Sequence, residues 1–198
     1  DHHGPSLYFA AWFFCRATAR TFADTTEWSY RLVPVTFSLL TLLIMFAMGV
    51  SERQGLFVNR SARFTALLGM AVSPAMVYYS RFFIQETMLV TFLAGMLLCA
   101  VRYAGLRAAE VPGERRSGRR TLWAAAGFGA FAGLAAATKE TAVLSFAAAA
   151  VATVAACGIG RLRRVWRTRD AVLAAGVAIG VAALLFSSFF TYPRGIVD

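Results

Sequence analysis

The chain has 198 residues, 59% of them hydrophobic and 15% charged, with 20 Lys and Arg against 10 Asp and Glu for a formal net charge of +10. With a mean hydropathy of +0.61, this lies outside the balance of a water-soluble domain. Apolar windows close to the roughly 20 residues that a helix needs to cross about 30 Å of hydrocarbon, without period-2 alternation, favour helices over a barrel and predict an all-α integral membrane protein, a polytopic helical bundle.

In chain order, the sequence opens on Asp1-His2-His3-Gly4-Pro5 with neither an initiator Met nor a signal peptide, and reads as an excerpt of a longer protein with at least one span ahead of it. Residues 7–22 are aromatic at their start but carry Arg16 and Arg20 one turn apart, so a helix lying in the membrane interface is expected there. Spans are expected at residues 30–50, 62–79, 87–104, 122–137, 141–159 and 171–190, about six in all. No repeat or linker is evident, so residues 1–198 read as one helical domain, with residues 1–29 as outer loop and interfacial helix and residues 30–190 as spans. Cys15, Cys99 and Cys157 sit in apolar surroundings without metal-type spacing and read as packing residues.

The arginines set an orientation. Arg53, Arg60 and Arg63 follow the first span, Arg107, Arg115, Arg116, Arg119 and Arg120 the third, and Arg161, Arg163, Arg164, Arg167 and Arg169 the fifth. The intervening connections, residues 80–86 and 138–140, hold one basic residue each. By the positive-inside rule the basic loops face the cytoplasm and the other connections lie outside. The net charge therefore needs no nucleic-acid partner, and the basic run beside Trp166 reads as a topology signal touching anionic lipid.

With that topology the remaining polar residues gather at the outer ends of the helices: Asp1, His2, His3, Arg31, Tyr78, Tyr79, Ser80, Arg81, Glu86, Lys139 and Glu140. Charge at a membrane boundary is tolerated mainly when paired or lining a hydrated cavity. Lys139, the only lysine, sits in the hairpin tip Thr138-Lys139-Glu140-Thr141, where it is either a turn residue in the headgroup layer or a point charge for a phosphate or carboxylate. In Tyr78-Tyr79-Ser80-Arg81-Phe82-Phe83-Ile84-Gln85-Glu86, Arg81 can grip a phosphate and Glu86 can accept a proton or hold a cation; equally, the tyrosines can form an aromatic belt and the charges an ion pair. His3-Gly4-Pro5 has the layout of a loop entering a helix, where an anion would meet free amides. Arg31-Leu32-Val33-Pro34 opens a span, either as a snorkelling anchor or facing a ligand.

Taken in order, His-Gly-Pro before an aromatic helix, Arg-Leu-x-Pro at a span start, Ser73-Pro74 followed by Tyr78-Tyr79-Ser80-Arg81-Phe82, an acidic Glu86, and Ala137-Thr138-Lys139-Glu140-Thr141 resemble the GT-C glycosyltransferases. The resemblance is to the polyprenyl-phosphate-sugar branch that includes protein mannosyltransferases and aminoarabinose transferases, especially the flippase-activity-associated family of prokaryotic surface glycosylation. It implies a membrane glycosyltransferase that moves a sugar from a polyprenyl-phosphate donor to a lipid, glycan or protein acceptor on the extracytoplasmic face of the cell membrane. It further implies catalytic roles for Glu86 and Asp1, a donor-phosphate contact at His3, and phosphate-steadying roles for Arg81 and Lys139. His2, Arg31, Tyr79 and Glu140 complete the expected substrate-binding set, with membrane lipid as surroundings. No metal site is assigned, although a divalent ion on Glu86 and His2 stays open. The alternative from another class is a transporter or flippase for a lipid-linked or anionic solute, with the same charges lining its path; no pair of Gly/Pro-interrupted spans in matching positions points to it.

Overall fold

The structure, a computed structural model, describes residues 4–48, 59–109, 115–160 and 165–189, and among these there is no strand. The α-helices whose full extent is described are, in chain order, α1 (Ser6–Thr18), α2 (Glu27–Met48), α3 (Arg60–Ala71), α4 (Pro74–Tyr79), α5 (Glu86–Ala108), α6 (Arg115–Ala136), α7 (Ala142–Cys157) and α8 (Thr168–Phe186), with a 3₁₀ turn at Phe22–Asp24. The all-α membrane bundle expected from composition is what the chain forms.

Among the described residues three helices, α2, α5 and α8, are long and apolar enough to cross a bilayer. The other expected spans differ. Residues 62–79 do not form one rod, because Pro74 begins a new helix after Ser73. Pro has no N–H to continue the α3 ladder and its ring disfavours the helical conformation in the residue before it. The 12 residues of α3 reach only about 18 Å. α6 opens on Arg115, Arg116, Arg119 and Arg120, so its apolar part starts at Thr121. α7 has 16 residues and stops at Gly158, whose positive φ of 75° a glycine adopts without strain.

The bundle is built around α6, which packs between α5 and α8. Small residues let it do so. An added Cβ at Gly129 would overlap the carbonyl of Ala174, and one at Gly133 would overlap that of Ala178. The four-residue spacing on both helices makes one small-residue stripe meet another, as when membrane helices pack through dispersion alone. On the opposite flank, Gly95 of α5 receives the Phe131 ring. Gly129→Leu is therefore expected to cost about 3 kcal/mol, lowering the thermal midpoint in detergent by roughly 6–12 °C. Gly176, with open space where its Cβ would be, is the control: Gly176→Leu should change stability by less than about 0.5 kcal/mol.

The helix directions sort the connections onto two ends. At one end, Tyr103 near the close of α5 donates its hydroxyl to Asp170 Oδ2 (2.9 Å) in the first turn of α8 and accepts from the Arg167 N–H (3.2 Å). The Tyr103 ring stacks on Trp166, which also meets Phe128 edge-on. Arg107 Nε donates to the Val165 carbonyl (3.0 Å). Asp170, 4% exposed, is thus a buried carboxylate held by the Tyr103 hydroxyl, and the aromatic clasp fixes the described part of the basic connection. Arg63 covers the Phe46 ring at the same end.

At the other end, α1 crosses the bundle as a brace. Ser6 meets the α6–α7 turn, and Thr18 Oγ1 donates to Ser29 Oγ (2.7 Å) at the start of α2. Leu7, Ala11 and Cys15 are buried, while Tyr8, Trp12 and Phe13 are exposed. Such an aromatic outer face is what a helix lying along the membrane surface presents. Cys15 and Cys99 are free thiols, buried and half-buried, in keeping with packing roles; the side chain of Cys157 lies outside the described residues.

Candidate functional site

The end braced by α1 gathers most of the polar residues singled out in the sequence. Glu86 is the first residue of α5, and Lys139 lies in the turn between α6 and α7. Lys139 Nζ donates to Glu86 Oε1 at 2.6 Å, with both side chains about one-third exposed (30% and 34%). Partial burial strengthens such a pair over one at a free surface while leaving both groups within reach of a ligand.

The turn holding Lys139 is tightly built. Thr138 Oγ1 donates to the Leu134 carbonyl (2.7 Å), the N–H groups of Thr138 and Lys139 donate to Ala135, and the Lys139 carbonyl accepts from Ala142. Against this turn lies the segment that enters α1. Ser6 donates its N–H to the Ala137 carbonyl (3.4 Å) and its hydroxyl to Thr138 Oγ1 (2.9 Å), and both hydroxyls are buried. Gly4 touches the Ala137 and Thr138 carbonyls with no room for a Cβ. Two motifs distant in sequence are therefore one structure. Gly4→Ala must push backbone against backbone, and it is expected to lower the thermal midpoint by a few degrees. A midpoint within error of the wild type would show that the segment yields freely.

Short helix α4 stands beside this pair with a different cleft on each face. One face contributes Pro74, Val77 and Tyr78 to a cleft of ≈ 610 Å³ completed by Arg31, Arg81 and Phe82. Arg31 is exposed and pairs with Glu27 one turn earlier. The Arg81 guanidinium, also exposed, makes no hydrogen bond or ion pair among the described residues. The other face contributes Ala75, Met76 and Tyr79 to a cleft of ≈ 260 Å³ walled by Ser38 and Thr41 of α2 and by Glu86, Thr87 and Val90 of α5. The first can hold an anion between two guanidinium groups; the second ends on a carboxylate able to take a proton or orient a hydroxyl.

The expected set thus divides. Arg31 and Arg81 share one cleft, Tyr79 and Glu86 the other, and Lys139 ties Glu86 to the α6–α7 turn. Glu140 follows Lys139 as an exposed turn residue. Asp1, His2 and His3 lie outside the described residues, although Gly4 and Ser6 carry the chain directly onto the Lys139 turn. Among the described residues no three His, Cys, Asp or Glu side chains cluster as metal ligands would.

Sequence reading passed over the hydroxyls. Ser6 and Thr138 join two motifs, while Ser38 and Thr41 on α2 line one cleft with Thr87 on α5. Thr41 and Thr91 hydroxyls are 2.8 Å apart. The available signal was their spacing of three and four residues within apolar spans, which sets hydroxyls on one helical face.

One comparison with known proteins gives a match. The family model described as dolichyl-phosphate-mannose-protein mannosyltransferase matches residues 2–189, nearly the whole chain. No curated protein and no solved structure matches it.

Proposed function

Since the chain belongs to the dolichyl-phosphate-mannose-protein mannosyltransferase family, a family of membrane glycosyltransferases that use a polyprenyl-phosphate-sugar donor, we propose that it transfers a sugar from such a donor to a lipid, glycan or protein acceptor on the extracytoplasmic side of the cell membrane. The observation that carries this reading is the Glu86–Lys139 pair beside two clefts of complementary chemistry. Arg81, with Arg31 beside it, grips the donor phosphate beyond the C-terminal end of α4, and the sugar bonded to that phosphate turns around this end toward Glu86. An acceptor hydroxyl attacks the anomeric carbon with inversion, the bond from that carbon to the phosphate oxygen breaks with its electron pair staying on the phosphate, and Glu86 takes the hydroxyl proton. Arg81 and Arg31 balance the charge that gathers on the departing phosphate, while Lys139 holds the Glu86 carboxylate in place.

His2 and His3, just ahead of the segment packed on the Lys139 turn, are further phosphate contacts in this reading, and Asp1 is a second candidate base. Tyr79 borders the sugar and Glu140 faces the acceptor side. The order of the motifs supports a place near the prokaryotic surface-glycosylation branch. The alternation of basic connections supports a cytoplasmic side opposite to the site.

The test is transfer of radiolabelled sugar from a polyprenyl-phosphate donor by the full-length protein in proteoliposomes, with water serving as acceptor where no other is supplied. Label released from the carrier in proportion to enzyme is the expected result. Movement of intact labelled lipid across the bilayer without cleavage would replace the reading with a transporter or flippase.

A further inference from the structure

The smaller cleft contains an unsolved hydrogen-bond balance. Ser38 Oγ donates to the Pro34 carbonyl (2.8 Å), Thr41 Oγ1 to Phe37 (2.9 Å), and Thr91 Oγ1 lies 2.8 Å from the Phe37 carbonyl and 2.7 Å from the Thr87 carbonyl. Thr87 differs from all three. Its residue is 4% exposed, and its hydroxyl is buried with no hydrogen-bond partner among the described residues. Buried hydroxyls are paired in folded proteins as a rule, and leaving one unpaired within a membrane bundle is unfavourable. A valine would fill the same volume without that cost.

The position of Thr87 indicates what the hydroxyl is for. It follows Glu86 directly and lines the same cleft. The walls are mostly apolar, with Ala75, Met76 and Val90 beside the polar Ser38, Thr41, Tyr79 and Glu86, while the Thr87 hydroxyl oxygen itself is covered. A sugar ring has a matching surface, with apolar C–H faces and hydroxyls at its edge. At ≈ 260 Å³ the cleft falls below the roughly 300–1,000 Å³ typical of sites for drug-sized ligands, which suits a single ring. Threonine in a helix splits between two χ1 wells, so the hydroxyl can turn toward the cleft without displacement of α5.

We propose that Thr87 is a specificity-determining residue whose Oγ1 hydrogen-bonds one ring hydroxyl of the transferred sugar; the inference rests on the glycosyltransferase reading of the site. It selects among sugars by recognising a hydroxyl at one ring position, because a site that offers a buried polar partner rejects an analogue lacking it.

The experiment compares full-length wild type, Thr87→Val and Thr87→Ser in proteoliposomes, using polyprenyl-phosphate donors that carry the native sugar or its monodeoxy analogues, with kcat and KM measured separately. Thr87→Val should lose about tenfold in kcat/KM on the native sugar, the size of one hydrogen bond, and should equal wild type on one monodeoxy donor alone. Thr87→Ser should recover most of the loss. The thermal midpoint of Thr87→Val should be unchanged or higher, since it removes an unpaired buried hydroxyl. Undiminished kcat/KM on the native sugar, an equal loss on every donor, or a fall in midpoint would each overturn the role of Thr87 while leaving the transferase reading standing. A wild-type protein that transfers none of the sugars would overturn that reading, and this inference with it.

Discussion

Glu86→Gln is expected to slow sugar transfer by about a thousandfold while the protein keeps its fold. A positioned general base contributes roughly 10²–10⁴ in rate, and the glutamine amide has the shape of the carboxyl group without its ability to take the acceptor proton. Its carbonyl oxygen can still accept from Lys139 Nζ, now 2.6 Å from Glu86 Oε1, so the α6–α7 turn should stay in place. With both partners about one-third exposed, the stability change should not exceed about 1 kcal/mol. Single-turnover release of labelled sugar, with the thermal midpoint as control, separates the two effects. Activity within tenfold of wild type would remove Glu86 from the role of base and move it to Asp1. The pair also means that Lys139 serves the carboxylate first: a phosphate that drew Lys139 away would leave Glu86 without this partner, so the donor anion is better accommodated elsewhere.

The gathering of these residues at one end of the bundle was legible in the sequence because charge alternates between successive connections. Arginine-rich connections alternate with poor ones, and that parity alone put Glu86 and Lys139 at one end, where they form an ion pair across 53 positions of chain. The long apolar runs that became α2, α5 and α8 were equally plain. Hydropathy, however, reports the solvent of a segment and not the continuity of its helix. Ser73-Pro74 was visible, yet residues 62–79 are apolar enough to read as one span, and only backbone chemistry divides α3 from α4. That division makes the site, since a short independent helix can face two clefts. The Tyr103–Asp170 clasp and the missing partner of Thr87 depend on the register of α5 against its neighbours, which no single-segment pattern encodes. Gly129 and Gly133 looked like ordinary small residues until α8 set Ala174 and Ala178 against them.

Arg81→Ala should reduce kcat/KM for the donor by about a hundredfold, mostly through KM. Hydrogen bonds to charged groups contribute about 1.5–3 kcal/mol each, and a guanidinium can offer two to one phosphate. The register of α4 explains why Arg81 and not another cation carries this load. Pro74, Val77, Tyr78 and Arg81 fall at intervals of three, one and three, so Arg81 continues the face that lines the cationic cleft beyond the end of the helix. Its guanidinium makes no ion pair among the described residues, whereas Arg31 is shared with Glu27. Arg31→Ala should therefore weaken donor binding less, by about tenfold. Arg81→Lys keeps the charge but loses the fork, so it should recover only part of the loss. Added salt should raise KM for wild type more than for Arg81→Ala, because exposed charges are screened within about 10 Å at 0.1 M ionic strength. If instead Arg81→Ala leaves KM unchanged and Lys139→Ala raises it, the phosphate lies on the Glu86 side of α4, with Lys139 as its main cation.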